Sequence, residues 1–90
     1  MEQKIRRDMN IGENLKRLRK GIGLSQEKLC AKLQLMGCDI QRSTYEKYES
    51  GELNVRVSVL VGLASIYRCS FDEFFRGLSL EGVLASDNEP

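Results

Sequence analysis

The chain of 90 residues contains no histidine and no tryptophan, and its single proline is the last residue. The lack of histidine excludes a histidine-based catalytic triad, a histidine zinc ligand and a histidine proton switch. No apolar run approaches the roughly 20 residues that a membrane-spanning helix needs. The first ten residues are polar and basic, without the apolar core of a secretory signal, so we expect none. A membrane partner is therefore not predicted.

The three cysteines, Cys30, Cys38 and Cys69, match no zinc-binding spacing and form no C-x-x-C pair. An odd number of thiols in a chain without a signal indicates reduced cysteines in the cytoplasm. We expect Cys30 and Cys69, which lie among apolar residues, to be small core side chains and not redox sensors. With no metal cluster and no nucleophile–base set, the sequence predicts neither a cofactor, nor a small-molecule ligand, nor an enzyme.

Charge is distributed unevenly along the chain. Residues 1–50 carry eleven Lys and Arg against seven Asp and Glu, and residues 51–90 carry three against six. The two halves therefore have net charges of +4 and −3, although the whole chain has only +1. The basic half indicates a surface for an anionic partner, and chance asymmetry is the alternative.

Hydrophobic residues at helical spacing predict three helices in the first half of the chain. Asn10 and Glu13 have the spacing of a capping box, which opens the first helix. Ser25 is typical of an N-cap for the second helix, and Gly37 of its end. The third helix is predicted over about residues 40–50. We interpret every apolar stripe of these helices as core.

The second half of the chain contains one ambiguous segment, residues 55–67. Its alternating valines favour a strand, whereas its other apolar residues also fit a helix. A single strand would have no partner in this chain, which favours the helix. Ser70 and Glu73 form a second capping box, which predicts a short final helix with three apolar anchors, Phe71, Phe74 and Phe75.

The second and third helices, joined by a short connection, have the outline of a helix-turn-helix unit. The outer face of the third helix is polar, with Arg42, Ser43 and Lys47. Arginine can bind guanine through O6 and N7, and serine and lysine can bind bases or phosphates. This composition fits a helix that enters a DNA major groove, and a merely solvated face is the alternative. Tyr45 and Tyr48 lie on the docking face, which favours core packing over base stacking.

Three stretches of the chain resemble the Cro/C1-type helix-turn-helix family, also called the XRE family, of phage and bacterial repressors. They are IGENLKRLRKGIGLSQEKLCAKL at residues 11–33, IQRSTYEKYESGE at 40–52 and VLVGLASIYRCSFDEFF at 59–75. The resemblance implies an all-α, compact five-helix lambda-repressor-like DNA-binding domain, with a helix in the ambiguous segment. We expect this domain to span residues 10–76, between a basic N-terminal arm at 1–9 and a C-terminal tail at 77–90.

The resemblance also implies functional residues. Seven match positions that contact DNA in the family: Gln26, Gln41, Arg42, Ser43, Thr44, Lys47 and Ser50. Among them Arg42, Ser43 and Lys47 match base-reading positions, Gln26 and Ser50 match phosphate-side positions, and the other two match contacts to the backbone or neighbouring bases. Arg19 and Glu49 match a structural ion pair between the first and third helices.

Three features depart from the family pattern. Residues 34–39 fill a gap that a single glycine usually fills, so we expect a longer second helix and turn. This insertion leaves the docking of the third helix open. Gln41 replaces the usual small cap, and Asp39 is an alternative cap. Glu46 puts a negative charge on the third helix, where it either accepts from a cytosine amino group or, as we favour, faces solvent.

The leading hypothesis is a bacterial or phage transcriptional regulator that binds specific double-stranded DNA, as a repressor, with the helix at about residues 40–50 in the major groove. Alternatives are the antitoxin of a toxin–antitoxin pair and a protein-interaction module that has lost DNA binding. The family usually binds as two-fold dimers. A homodimer would use the helix at 70–76, extended by the tail residues Leu78, Leu80, Val83 and Leu84. Alternatively, the three phenylalanines close the monomer core.

Overall fold

Four α-helices are followed by one short 3-10 helix in the part of the chain that the structure describes. The structure is a computed structural model, and the described residues are 9–79. The helices are α1 (Gly12–Gly21), α2 (Gln26–Leu35), α3 (Arg42–Ser50), α4 (Val57–Tyr67) and the 3-10 helix (Phe71–Phe75). The predicted all-α class is confirmed. The basic residues of the predicted arm, Lys4, Arg6 and Arg7, and the tail from Leu80 onward lie outside the described residues.

The prediction of five α-helices is wrong at the last helix, because its five residues form a 3-10 helix. The Ser70 hydroxyl makes no capping bond, and its carbonyl accepts from the Glu73 N–H at 3.1 Å instead. The Glu73 carboxylate lies 3.5 Å from Arg17 and 3.7 Å from Arg76, away from any capping box. Asn14 of α1 donates to two carbonyls at the end of this segment, those of Phe74 and Arg76. Tertiary contacts therefore replace the local bonds that would continue a helix.

The ambiguous segment is helical, as the resemblance implied. Val59, Leu63 and Tyr67 of α4 are buried and lie on one stripe, four residues apart. The β-branched Val57 and Val61 face outward, with exposed fractions of 73% and 53%. Packing of the apolar stripe against the other helices therefore outweighs the strand preference of the valines.

The predicted helix ends are confirmed at some positions and wrong at others. The Ser25 hydroxyl caps α2, accepting from the Lys28 N–H at 3.1 Å. Gly37 ends α2 with a φ of +90°, a left-handed conformation that favours glycine. The prediction of a capping box at the start of α1 is wrong. Asn10 accepts from the Gly12 N–H, but the cap position belongs to Ile11, so α1 starts later than predicted.

The core lies between α1, α2, α3 and α4, with the 3-10 helix closing one side. Its fully buried side chains include Leu15, Leu29, Leu33, Tyr45, Val59, Leu63 and Phe74. Tyr45 and Tyr48 pack edge to face, with ring centroids 6.2 Å apart, so both belong to the core. Cys30 is buried as predicted, whereas Cys69 is only half-buried. Within residues 9–79, none of the helices has the length and apolar character needed to cross a membrane.

Candidate nucleic-acid interface

The two faces of α3 differ sharply in burial. Tyr45, Tyr48 and Glu49 are buried against the rest of the domain. The opposite face exposes Arg42, Ser43, Glu46, Lys47 and Ser50 to solvent. A helix with one docked face and one free polar face can enter a groove of duplex DNA without unfolding anything. Arg42 and Ser43 lie in its first turn, and Lys47 lies more than one turn further along.

The N-terminus of α3 is open. Gln41 occupies the cap position and is exposed, but its side chain makes no capping bond, and Asp39 does not take that place. No acidic residue lies in the first turn of α3, so the partial positive charge of the helix end is not neutralised. Thr44 is half-buried at the edge of the docked face. This end of α3 is therefore suited to an anion such as a DNA phosphate.

The inserted residues 34–39 lengthen both α2 and its turn. The helix continues to Leu35, and the chain then turns at Gly37 and runs to the buried Ile40, which anchors the start of α3. The Cys38 N–H donates to the Leu33 carbonyl at 2.9 Å, which closes the turn. The expected lengthening is confirmed, and α3 begins at Arg42, two residues later than predicted.

An ion pair between Arg19 and Glu49 joins α1 to α3. The guanidinium donates to both carboxylate oxygens, at 2.6 and 3.0 Å, and the two side chains are 10% and 5% exposed. Arg19 also donates to the Leu24 carbonyl at 2.9 Å, which fixes the chain just before α2. Gln26 donates from its amide to the same carboxylate at 3.0 Å. One carboxylate therefore holds α1 and the start of α2 against α3.

The surroundings of this pair set the ionisation of its members. Burial alone would raise the pKa of the Glu49 carboxyl, but hydrogen bonds, with Arg19 first among the donors, outweigh burial and lower it below the ordinary value of 4.5. The hydrogen bond to Glu49 raises the pKa of Arg19. Burial also raises the pKa of the nearby Tyr67 to about 12. Both members of the pair are therefore charged at neutral pH.

A shallow groove runs between α1, the start of α2 and α3. Gln26 and Lys16 line it together with Glu46 and Ser50. The Ser50 hydroxyl lies 3.0 Å from a carboxylate oxygen of Glu52 and 3.1 Å from the Lys47 carbonyl. Glu13 and the paired Arg19 and Glu49 also line the groove, which thus combines two basic, two polar and three acidic side chains. Glu46 is exposed at its edge, which agrees with a solvent-facing side chain.

The comparisons with known proteins identify the family. The family model described as Helix-turn-helix matches residues 15–74, two thirds of the chain. This chain belongs to the helix-turn-helix family. Within it, the XRE-type resemblance is confirmed, and the protein is a DNA-binding transcriptional regulator.

A solved structure supports the same assignment. The restriction-modification controller protein C.AhdI from Aeromonas hydrophila is 31% identical to this chain, with a TM-score of 0.62. The match covers 72% of this chain and 91% of that protein. No curated protein sequence matches this chain significantly.

Two basic residues of this helix-turn-helix protein were missed by the sequence reasoning. Lys16 of α1 lines the groove beside Gln26. Arg56 occupies the cap position of α4 and donates to the carbonyl of Asp39, just before α3. The polar, exposed face of α1 could have indicated Lys16 as a candidate DNA contact. Nothing local indicates Arg56, because its partner lies 17 residues away.

Proposed function

We propose that this regulator is a repressor that recognises a specific duplex DNA sequence with the exposed face of α3 in the major groove. The single observation that carries this proposal is the free polar face of α3, with Arg42, Ser43 and Lys47, opposite a fully docked face. Side chains at these positions can reach base edges while the buried face keeps the helix in place. The shared family supports the same function.

Affinity and specificity come from different residues in this proposal. Phosphate contacts position a protein on DNA, and base contacts select the sequence. We assign phosphate contact to Gln26 and Ser50, and we add Lys16, which lines the same groove. Gln26 retains a second amide N–H after its bond to Glu49, so it can still donate to a phosphate. Gln41 and Thr44 flank the reading face and contact the backbone or neighbouring bases.

We further propose a non-enzymatic, cytoplasmic homodimer on two half-sites. One helix-turn-helix unit reads only a few base pairs, so a dimer is needed for useful specificity. Phe74 closes the monomer core, but Phe71 and Phe75 are about half exposed, and Leu78 beside them is half-buried. These exposed phenylalanines support the surface at residues 70–76 as the dimer contact. Leu80, Val83 and Leu84 lie outside the described residues.

Binding to selected duplexes tests the function. Duplexes would be enriched from a random library, and the promoter of the chain's own gene would be included because the similar C.AhdI is named as a controller protein. Fluorescence anisotropy would then compare the wild type with Arg42→Ala. Arg68→Ala is the matched control, since it removes the same charge from the exposed C-cap of α4, outside both α3 and residues 70–76.

The expected result is sequence-preferring binding by the wild type and Arg68→Ala, with roughly 5- to 100-fold loss of preference at one base pair in Arg42→Ala. Unchanged preference in Arg42→Ala would move the reading residues elsewhere. No binding to any duplex at low salt would reject the proposal and favour a protein partner, as in an antitoxin.

A further inference from the structure

The start of α3 is held by two side chains from other elements of the fold. We propose that these residues, Gln34 and Arg56, are positioning residues that set the angle at which α3 presents Arg42 to DNA. The inference deepens the proposed function and rests on it, because it requires that α3 reads bases.

The two bonds reach adjacent peptide carbonyls. The Gln34 amide, from the last turn of α2, donates to the carbonyl of Ile40 at 2.8 Å. The Arg56 guanidinium, from the cap position of α4, donates to the carbonyl of Asp39 at 3.2 Å. These carbonyls immediately precede Gln41, the cap position of α3. The reading helix is thereby tied to both α2 and α4 at the end that carries Arg42.

The inserted connection explains why such ties are needed. A longer connection has more accessible conformations than a single glycine. Met36, Gly37 and Asp39 are exposed and Cys38 is half-buried, so burial restrains this stretch only weakly before Ile40. The two bonds to the carbonyls of Asp39 and Ile40 therefore fix the direction in which the chain enters α3, which burial alone does not fix.

The bond from Arg56 is exposed and the bond from Gln34 is part-buried, and neither donor belongs to the apolar core, which separates their effect on stability from their effect on recognition. Gln34 and Arg56 are exposed, so water can take the place of either donor when it is removed. The fold then keeps its core, including the docked Tyr45 and Tyr48. The free end of α3 loses its fixed direction, and Arg42 at that end moves more than Lys47, which lies between the docked tyrosines.

The test measures base preference, not affinity alone. Variants Arg42→Ala and Lys47→Ala first identify the base pair that each side chain reads, using single-base-pair changes in the selected duplex. Gln34→Met then removes the amide donor while keeping side-chain length. Leu35→Ala is its matched control, because Leu35 is the next residue in the chain and is 88% exposed.

We expect Gln34→Met to lower the preference at the Arg42 base pair about fivefold and to leave the preference at the Lys47 base pair unchanged. Its melting temperature should stay within about 4 °C of the wild type. The double variant Gln34→Met/Arg42→Ala should show no weaker preference at any base pair than Arg42→Ala alone, because Gln34 acts through Arg42. Leu35→Ala should behave as the wild type.

Arg56→Met provides the second arm. It should lower the preference at the same base pair, with a similar melting temperature. A direct phosphate contact by Arg56 would instead weaken binding to all duplexes equally and reduce the salt slope by about one. That result would overturn its positioning role.

If Gln34→Met leaves the preference at every base pair unchanged, or lowers the melting temperature by much more than about 4 °C, the inference is overturned for that residue. If the wild type prefers one duplex and only the variants fail to behave as expected, the proposed function stands and the positioning is wrong. If the wild type prefers no duplex, the proposed function itself fails.

Discussion

At the scale of single residues, Glu49 connects three helices. Its carboxylate accepts from Arg19 of α1 and from Gln26 of α2 while lying on the buried face of α3. A carboxylate that is 5% exposed requires such donors, because an unpaired buried charge is costly. Glu49 therefore stabilises the fold and orients the side chain of Gln26, which we propose contacts a DNA phosphate.

Replacing Glu49 by glutamine should lower the free energy of unfolding by about 3 kcal/mol, because Arg19 is left buried without a counter-charge. Urea unfolding at neutral pH measures this loss. Glu27→Gln, on the exposed side of α2, is the control, because it makes the same substitution away from the ion pair. A loss below about 1 kcal/mol would mean that the pair contributes little.

The same pair predicts a pH dependence. The pKa of Glu49 is lower in the folded state than its ordinary value of 4.5. Its stabilising contribution is therefore complete above that ordinary value and is lost as the pH falls through the lowered folded-state pKa. Wild type should lose stability in this acid range more steeply than Glu49→Gln. Parallel curves of unfolding free energy against pH would contradict this assignment.

Most of the apolar core was predictable at the residue scale, although Ile22 and Met36 of the predicted stripes are exposed, and the polar contacts were not predictable. Buried Leu15, Leu29 and Tyr45 follow from helical spacing alone. Arg19 and Glu49 are 30 positions apart, and only the family resemblance suggested that they meet. Neither helical spacing nor the family resemblance predicted the bond from Arg56 to Asp39, because it depends on an insertion that the family pattern lacks.

At the scale of helices, close backbone contact sets the crossing of α1 and α3. A side chain added at Gly12 would overlap the backbone carbonyl of Glu49 and lie 2.9 Å from that of Tyr48. Neither carbonyl can move without shifting α3. The start of α1 therefore needs a residue without a side chain.

Gly12→Ala should lower the free energy of unfolding by about 1–3 kcal/mol, because the two helices must separate. Gly21→Ala is the matched control in the same helix, since nothing lies within 4 Å of the added atom. It should be neutral or stabilise by up to about 1 kcal/mol. Thermal unfolding of both variants checks this, and equal effects would contradict the crossing described above.

Helix ends were predictable where the cap is local and unpredictable where a tertiary partner competes. Ser25 caps α2 through its own neighbour, Lys28. Ser70 and Glu73 have equally good spacing, but Arg17 draws the Glu73 carboxylate away. Asn14 then takes the carbonyls at the end of the 3-10 helix. Distant partners of this kind leave no signal in the local pattern.

At the scale of the whole molecule, the reading face and the exposed phenylalanines lie on different elements. Leu53 and Phe75 line one apolar depression outside the reading face of α3, and Phe71 is a further exposed ring on the same 3-10 helix as Phe75. A dimer through this surface would leave both copies of α3 free for DNA. The arrangement agrees with two-fold binding to paired half-sites.

The variant Phe75→Ser should convert the proposed dimer to a monomer at micromolar concentration, because it removes a half-exposed ring from the contact without opening the core. Sedimentation equilibrium measures the change. Leu35→Ser, which also removes an exposed apolar side chain, should leave the dimer intact. A monomeric wild type at high concentration would contradict the proposed assembly.

The most direct test of the central claim, that α3 reads a specific DNA sequence, compares a selected duplex with a scrambled duplex of equal composition. Anisotropy at about 50 and 200 mM salt gives both dissociation constants for the wild type and for Arg42→Ala. We predict that the wild type prefers the selected duplex at both salt concentrations, while affinity for both duplexes falls with salt and Arg42→Ala loses most of the preference. Equal wild-type binding to both duplexes would contradict the claim.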